Sequence, residues 1–296
     1  MLRYLIYACA LYALCANALP ALAQDEQAAA TTERIDWSLS ASGGLTMVDD
    51  DGDQPFLRLG VTRFIGDGYV RASVTHFSTR DGAGLMDTVP ASTVQVSLAG
   101  GYGFGALGVD AYASLGWREF DPEAFSQRTG QPITIDADGK TAGAGVSFSY
   151  EVQLGEGTFL APFVAGDISK VDIARAIVVG GRGTISQKES QSGETGSLGF
   201  TLDRTLGTTG SSIGAYAAFV ATSNSAVAIR SSAPVSAARL FGPLDVPGTS
   251  ASWLEYGATA SLGVSEALAL DFSLVRTAGF PGAESTSVSA GTRLRF

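Results

Sequence analysis

The sequence predicts an all-β fold: a transmembrane antiparallel up-and-down β-barrel of about twelve strands, with a polar lumen and both termini periplasmic. Three observations lead there. Apolar residues alternate with small or polar ones at period two along most of the chain, as half-buried strands require. Tight and long connections alternate between those stretches. The chain is also greasy, with a mean hydropathy of +0.19 and only 16% charged residues. Past its first residues it nevertheless holds no run of 18 apolar residues, so helical spans are excluded and a closed barrel is the remaining way to cross a bilayer.

The N-terminus is read first. Arg3 is the only charge before Asp25, residues 4–22 are apolar or small, and "ALA" at Ala21 to Ala23 precedes "QDEQ". A basic residue, an apolar stretch and an A-x-A site predict a secretory signal peptide over 1–23, not a transmembrane anchor. Both cysteines, Cys9 and Cys15, fall inside it, and Leu14 does not suit lipoprotein processing. The exported chain is therefore expected to carry no disulfide and no thiolate chemistry. Residues 24–34, "QDEQAAATTER", form a short linker able to make two or three helical turns, and 35–296 form the barrel domain. The formal charge of −10 argues against nucleic acid as a partner.

Twelve strands follow, over 35–47, 55–65, 69–78, 91–104, 106–119, 140–153, 158–172, 192–206, 211–222, 251–264, 267–278 and 285–296. In the first, Ile35, Trp37, Leu39, Ala41 and Leu45 oppose Asp36, Ser38, Ser40, Ser42 and Thr46. In the fifth, Leu107 to Trp117 oppose Gly108 to Arg118. In the tenth, Leu254, Tyr256, Ala258, Ala260, Leu262 and Val264 oppose Glu255, Gly257, Thr259, Ser261 and Gly263. The seventh, "TFLAPFVAGDISK", shows no clear inside, and the eighth is weak before Leu198. The last strand ends on Phe296 itself, with Val288, Ala290, Leu294 and Phe296 on one face and Arg293 and Arg295 on the other.

Tight turns are expected at "GDG" (Gly66 to Gly68), Phe104-Gly105, "GEG" (Gly155 to Gly157), "GTTGS" and "SE". Longer connections lie between, including about twenty residues near 120–139, about twenty near 173–191 and nearly thirty at 223–250. Short periplasmic turns alternating with long extracellular loops are the pattern of an outer-membrane barrel. A soluble sandwich would put charge on its polar face, whereas here that face is mostly Gly, Ser, Thr and Ala. The apolar parity also carries Trp37, Tyr102, Phe104, Phe148, Tyr150 and Phe296 near periplasmic strand ends and Trp117 near an extracellular one, the places of aromatic girdles.

Three stretches resemble the autotransporter β-domain family. They are "GEGTFLAPFVAGDISKVD"; "GSLGFTLDRTL" with "SSIGAYAAFV"; and "YGATASLGVSEALALDFSLVRTAG" with "SVSAGTRLRF". The resemblance spans about 140–296 by motif and 35–139 by strand pattern. It implies a twelve-stranded barrel whose last strand, with its final aromatic Phe296, is the signal read by the barrel-assembly machinery. It also implies an N-terminal passenger with a linker helix in the pore. Only 24–34 precede the first strand here, so a free-standing, passenger-less barrel is expected, monomeric, in the bacterial outer membrane, surrounded by outer-membrane lipid and lipopolysaccharide.

Candidate site residues follow from parity. Arg58, Arg71, Arg293 and Arg295 are placed on the lumen side of strands two, three and twelve, and Asp110, Glu151, Glu255 and Asp271 on the lumen side of strands five, six, ten and eleven. Opposed basic and acidic walls would set a transverse field across a passive pore; mutual pairing would instead plug it. His76, the one histidine, shares a lipid face with Ser78 near the extracellular rim. Outer-membrane phospholipase A and lipid A deacylases use a similar His-x-Ser pair, with a further polar group orienting the histidine. The nearest candidate for that group, Gln95, has lumen parity. "GFGALG" (Gly103 to Gly108) fits G-x-G-x-x-G but lies in a hairpin, without the strand–turn–helix a dinucleotide needs. "DDDGD" (Asp49 to Asp53) lacks the glutamate of a calcium loop. The expected role is a passive pore or structural surface barrel, not an enzyme, without cofactor or metal. The alternatives are a surface adhesion protein or a lipid-modifying enzyme acting through His76 and Ser78.

Overall fold

The computed structural model describes residues 36–48, 53–79, 91–120, 134–179, 183–207, 210–225, 249–280 and 284–296. The expected signal peptide and 24–34 linker, most of the 49–53 and 223–250 connections and the residues around 80–90 and 121–133 lie outside them.

Thirteen strands run in order: β1 (Trp37–Val48), β2 (Gln54–Ile65), β3 (Gly68–Thr79), β4 (Ala91–Phe104), β5 (Leu107–Phe120), β6 (Thr134–Tyr150), β7 (Val152–Gly155), β8 (Thr158–Val179), β9 (Gly183–Leu206), β10 (Ser211–Thr222), β11 (Ala251–Gly263), β12 (Leu268–Ala278) and β13 (Ser285–Arg295). Sequential strands other than β6 and β7 pair antiparallel, β1 pairs with β13, and β6 pairs with β8, which closes the sheet. The short β7 continues β6 past Glu151: Ser149 faces Phe163 and Val152 faces Leu160 in unbroken register. The barrel therefore has twelve staves.

Closure is complete at the ends of the chain. β1 and β13 pair from Ser38↔Arg295 to Val48↔Ser285, and the Trp37 and Phe296 backbones exchange two hydrogen bonds of 3.0 Å. An open edge in lipid would leave backbone groups unsatisfied at several kcal/mol each, roughly.

Burial runs opposite to that of a soluble protein. Ser38, Ser42, Thr46, Thr62, Ser73, Gln95, Ser114, Thr277 and Ser287 are buried, while Leu39, Leu59, Val74, Val96, Leu98, Leu115, Phe272 and Leu274 are exposed. The apolar parity thus faces outward. Trp37, Tyr102, Phe104, Trp117, Phe148, Tyr150 and Phe296 all lie on that outward face.

Most turns fall where glycine permits a left-handed backbone, as at Gly66 (φ 58°), Gly105 (φ 65°) and Gly157 (φ 66°). Two expectations need correction. The connection near 173–191 is not a loop: β8 runs on to Val179 and β9 starts at Gly183, paired throughout. β6 likewise begins at Thr134 and pairs with β8 as far as Val178, inside the loop expected near 120–139. Crossing takes about 9–11 residues; the remainder of these strands projects beyond the barrel as a three-stranded sheet. Alternation fails there because neither face of a projecting sheet is held against lipid. The strand without a clear inside, β8, has one: Ala161, Phe163, Ala165, Asp167 and Ser169 are buried, and Pro162, Val164 and Ile168 face outward.

Five inward aromatic rings lie over glycines on the neighbouring strand. The register pairs are Phe56↔Gly44, Tyr69↔Gly101, Tyr112↔Gly145, Phe163↔Gly199 and Tyr216↔Gly257. In each, a Cβ on the glycine would stand within 3 Å of the ring.

Candidate functional site

The lumen gathers most of the chemistry. β13, β1, β2 and β3 are consecutive in the sheet, so Arg295, Arg293, Arg58 and Arg71 share one arc of the wall. Small hydroxyl residues hold Arg58, Arg71 and Arg293. Arg58 Nη2 donates to Ser73 Oγ at 3.1 Å, and Ser73 Oγ lies 2.7 Å from Ser97 Oγ. Arg71 Nε donates to Thr62 Oγ1 at 3.0 Å, and its guanidinium lies over the Tyr69 ring. Arg293 Nη2 reaches both Ser261 Oγ at 3.2 Å and Asp271 Oδ1 at 3.1 Å.

The acidic residues do not form one wall. Asp271 is buried against Arg293. Asp110 Oδ1 accepts the Tyr69 hydroxyl at 2.7 Å, which ties it to the strand of Arg71. Glu255 is almost fully buried and accepts the Trp253 indole N–H at 2.9 Å. Glu151 is half-buried at the junction of β6 and β7, where its backbone N–H donates to the Ala106 carbonyl at 2.7 Å. Charged hydrogen bonds of this kind fix the side chains on the wall. The partners Tyr69, Thr62, Ser73, Ser261 and Trp253 were not singled out from sequence; their lumen parity was readable, but their contacts depend on inter-strand register.

Away from the termini the inward face turns apolar in three places, one of them Tyr216 against Val275. Phe163, Ala218, Val220 and Trp253 pack together, with Phe280 edge-on to Trp253 at a centroid distance of 4.9 Å. The connection carrying Phe280 is braced by Arg276 Nη2 to Glu284 Oε2 at 2.6 Å. Phe77 packs with Phe56 and Val171. On the projecting sheet, outside the membrane-spanning segments, the Ser190 hydroxyl and the Lys170 ammonium hold the Asp172 carboxyl below its ordinary range.

His76 lies on the outward face. Its Nε2 lies 2.9 Å from Ser92 Oγ on β4; Ser78 is the register partner of that same Ser92. Gln95 is buried on the lumen side.

This architecture has known counterparts. The beta-domain of the Bordetella autotransporter BrkA superimposes with a TM-score of 0.58 at 16% identity, covering 88% of this chain and 99% of that one. The translocator domain of autotransporter NalP from Neisseria meningitidis gives 0.63 at 13% identity, covering 90% of each chain. LpxR from Salmonella typhimurium gives 0.51 at 13% identity, covering 88% of this chain and all of that one. At such identities the likeness concerns the fold alone. No curated protein matches the sequence. The family profile of the autotransporter beta-domain matches residues 65–274, which spans strands β3 to β12, and with it the chain belongs to the autotransporter β-domain family of outer-membrane barrels.

Proposed function

We propose that this barrel serves as a passive, non-enzymatic pore of the outer membrane, with both termini periplasmic and the projecting β6–β8–β9 sheet extracellular. One observation carries the reading. Gln95 Oε1, Ser197 Oγ and Asp271 Oδ2 are buried on the inward face without a hydrogen-bond partner in the protein. Buried polar atoms are satisfied almost everywhere in proteins, and water in the lumen is the partner that fits these. A wet, hydroxyl-lined interior with arginines on one arc suits small hydrated solutes better than it suits a packed core.

Single-channel recording on refolded protein in planar bilayers tests the proposal, with discrete conductance steps as the expected result. Silent bilayers from correctly folded wild-type protein and from variants widened at the mouth would overturn it. The competing lipid-modifying reading has its own assay. Purified protein is expected to release no acyl chains from phospholipid or lipopolysaccharide at high loading. Release that His76→Ala abolishes would replace the pore with an enzyme.

A further inference from the structure

Phe77 is two residues from the end of β3, at the mouth opposite the chain termini, yet it is only 9% exposed. Its neighbours in the sheet are Phe56 on β2 and Thr93 on β4. The third residue packed on this cluster is Val171, on β8. β3 and β8 are not neighbours: β4, β5 and β6 stand between them. The contact therefore spans the opening instead of running along the wall.

The strands explain how Val171 gets there. β8 pairs with β9 without interruption from Thr158↔Arg204 to Val179↔Gly183, so the projecting part is a stiff arm. β10 stops at Thr222, opposite Thr195 of β9, and beyond it Ser223 and Asn224 hold β9 only as far as Glu194, Ser192 and Gln191. Val171 keeps the inward parity of Asp167 and Ser169. On the intervening staves the inward positions at this end are Thr93 and Gln95 on β4, Gly116 and Arg118 on β5, and Gly139, Thr141 and Gly143 on β6, so the arm leans across mostly small residues, with the Arg118 side chain at the level of Phe77. The groups at the contact are a valine and two phenylalanines, and apolar constrictions stop hydrated ions by dewetting.

We propose that Phe56, Phe77 and Val171 form an apolar latch that holds the projecting β6–β8–β9 sheet across the mouth and sets the resting conductance of the pore. The proposal rests on the pore reading above. In the latched state the mouth admits few hydrated solutes. Parting Val171 from Phe77 swings the arm away and opens it.

The cysteine content makes the test direct, since Cys9 and Cys15 are the only cysteines. In a full chain carrying Cys9→Ala and Cys15→Ala, the pair Phe77→Cys with Val171→Cys is expected to cross-link on oxidation, whereas Phe77→Cys with Ser212→Cys, near the opposite end, stays reduced. Reducing the first pair is expected to raise mean single-channel conductance at least threefold, and Val171→Asp to do the same without reductant. Failure of the first pair to cross-link overturns the latch, as does conductance indifferent to reduction in a chain that conducts; both outcomes leave the pore reading standing. A cross-link that forms while no variant conducts overturns the pore reading, and the gating role falls with it.

Discussion

The ring of Tyr69 occupies the place where Gly101 would carry a side chain. The two are register partners on β3 and β4, and a Cβ on Gly101 would stand 2.5 Å from Tyr69 Cε1. The same relation joins Tyr216 to Gly257, where the separation is 2.6 Å. Overpacking a well-fitted contact costs about 1–3 kcal/mol. Gly257→Ala is therefore expected to lower unfolding stability by that amount in lipid vesicles, read from the urea midpoint of the heat-modifiable gel shift. Gly196 supplies the comparison: the nearest atom to its Cβ position is 4.0 Å away, and Gly196→Ala is expected to move the midpoint little. Equal shifts in the two variants would refute the account.

Two ion pairs of similar length should differ sharply in worth. Asp271 is 2% exposed where it meets Arg293, whereas the Arg276–Glu284 side chains are 30% and 42% exposed. Removing one partner of a buried pair costs about 3–5 kcal/mol, and exposed pairs contribute about 0–1 kcal/mol. Asp271→Ala is expected to destabilise the barrel several times more than Glu284→Ala in the same urea titration. A ranking in the other order would mean that water in the lumen screens Arg293 fully.

Phe296 offers two separable contributions, its backbone pairing with Trp37 and its outward ring. Deleting the residue is expected to reduce outer-membrane levels several-fold, measured by fractionation and immunoblot. Phe296→Ala keeps the backbone. If the ring is read by the assembly machinery, this variant falls with the deletion; normal levels for Phe296→Ala would limit the role of the residue to closing the sheet.

The arginine arc should bias the permeating ion. Replacing Arg58 and Arg71 together with alanine is expected to move the reversal potential in a KCl gradient toward the potassium limit. The shift should be largest in dilute salt and small near 1 M, where the Debye length falls to about 3 Å. An unchanged reversal potential at low salt would remove these side chains from the conduction path.

Strand positions were legible wherever the two faces of a strand meet different surroundings. β1, β5 and β11 alternate cleanly because lipid lies on one side and the lumen on the other. β8 was obscure because its inward residues include Ala161, Phe163 and Ala165, as apolar as the outward Val164 and Ile168. Its projecting end was not legible because no lipid lies against either face there to impose a continuous apolar row. In the lumen, parity was enough to place the charges but not to pair them. The register partner of Arg293 on β12 is Ala269, and the arginine reaches Asp271 diagonally, a relation set by sheet geometry that one strand's sequence does not carry. The glycine–aromatic pairs were hidden for the same reason.

The outward face, with its Leu, Val, Phe and Ala, has a fluid as its neighbour. A liquid conforms to any outline, so swapping one apolar residue for another there opens no void and creates no clash. Those positions are free to drift, provided they stay apolar. The inward glycines beneath aromatic rings have no such freedom, because their counterpart is a fixed solid surface. Variation should therefore accumulate on the outer skin of the barrel, where it leaves the frame shared with BrkA and NalP at 13–16% identity undisturbed.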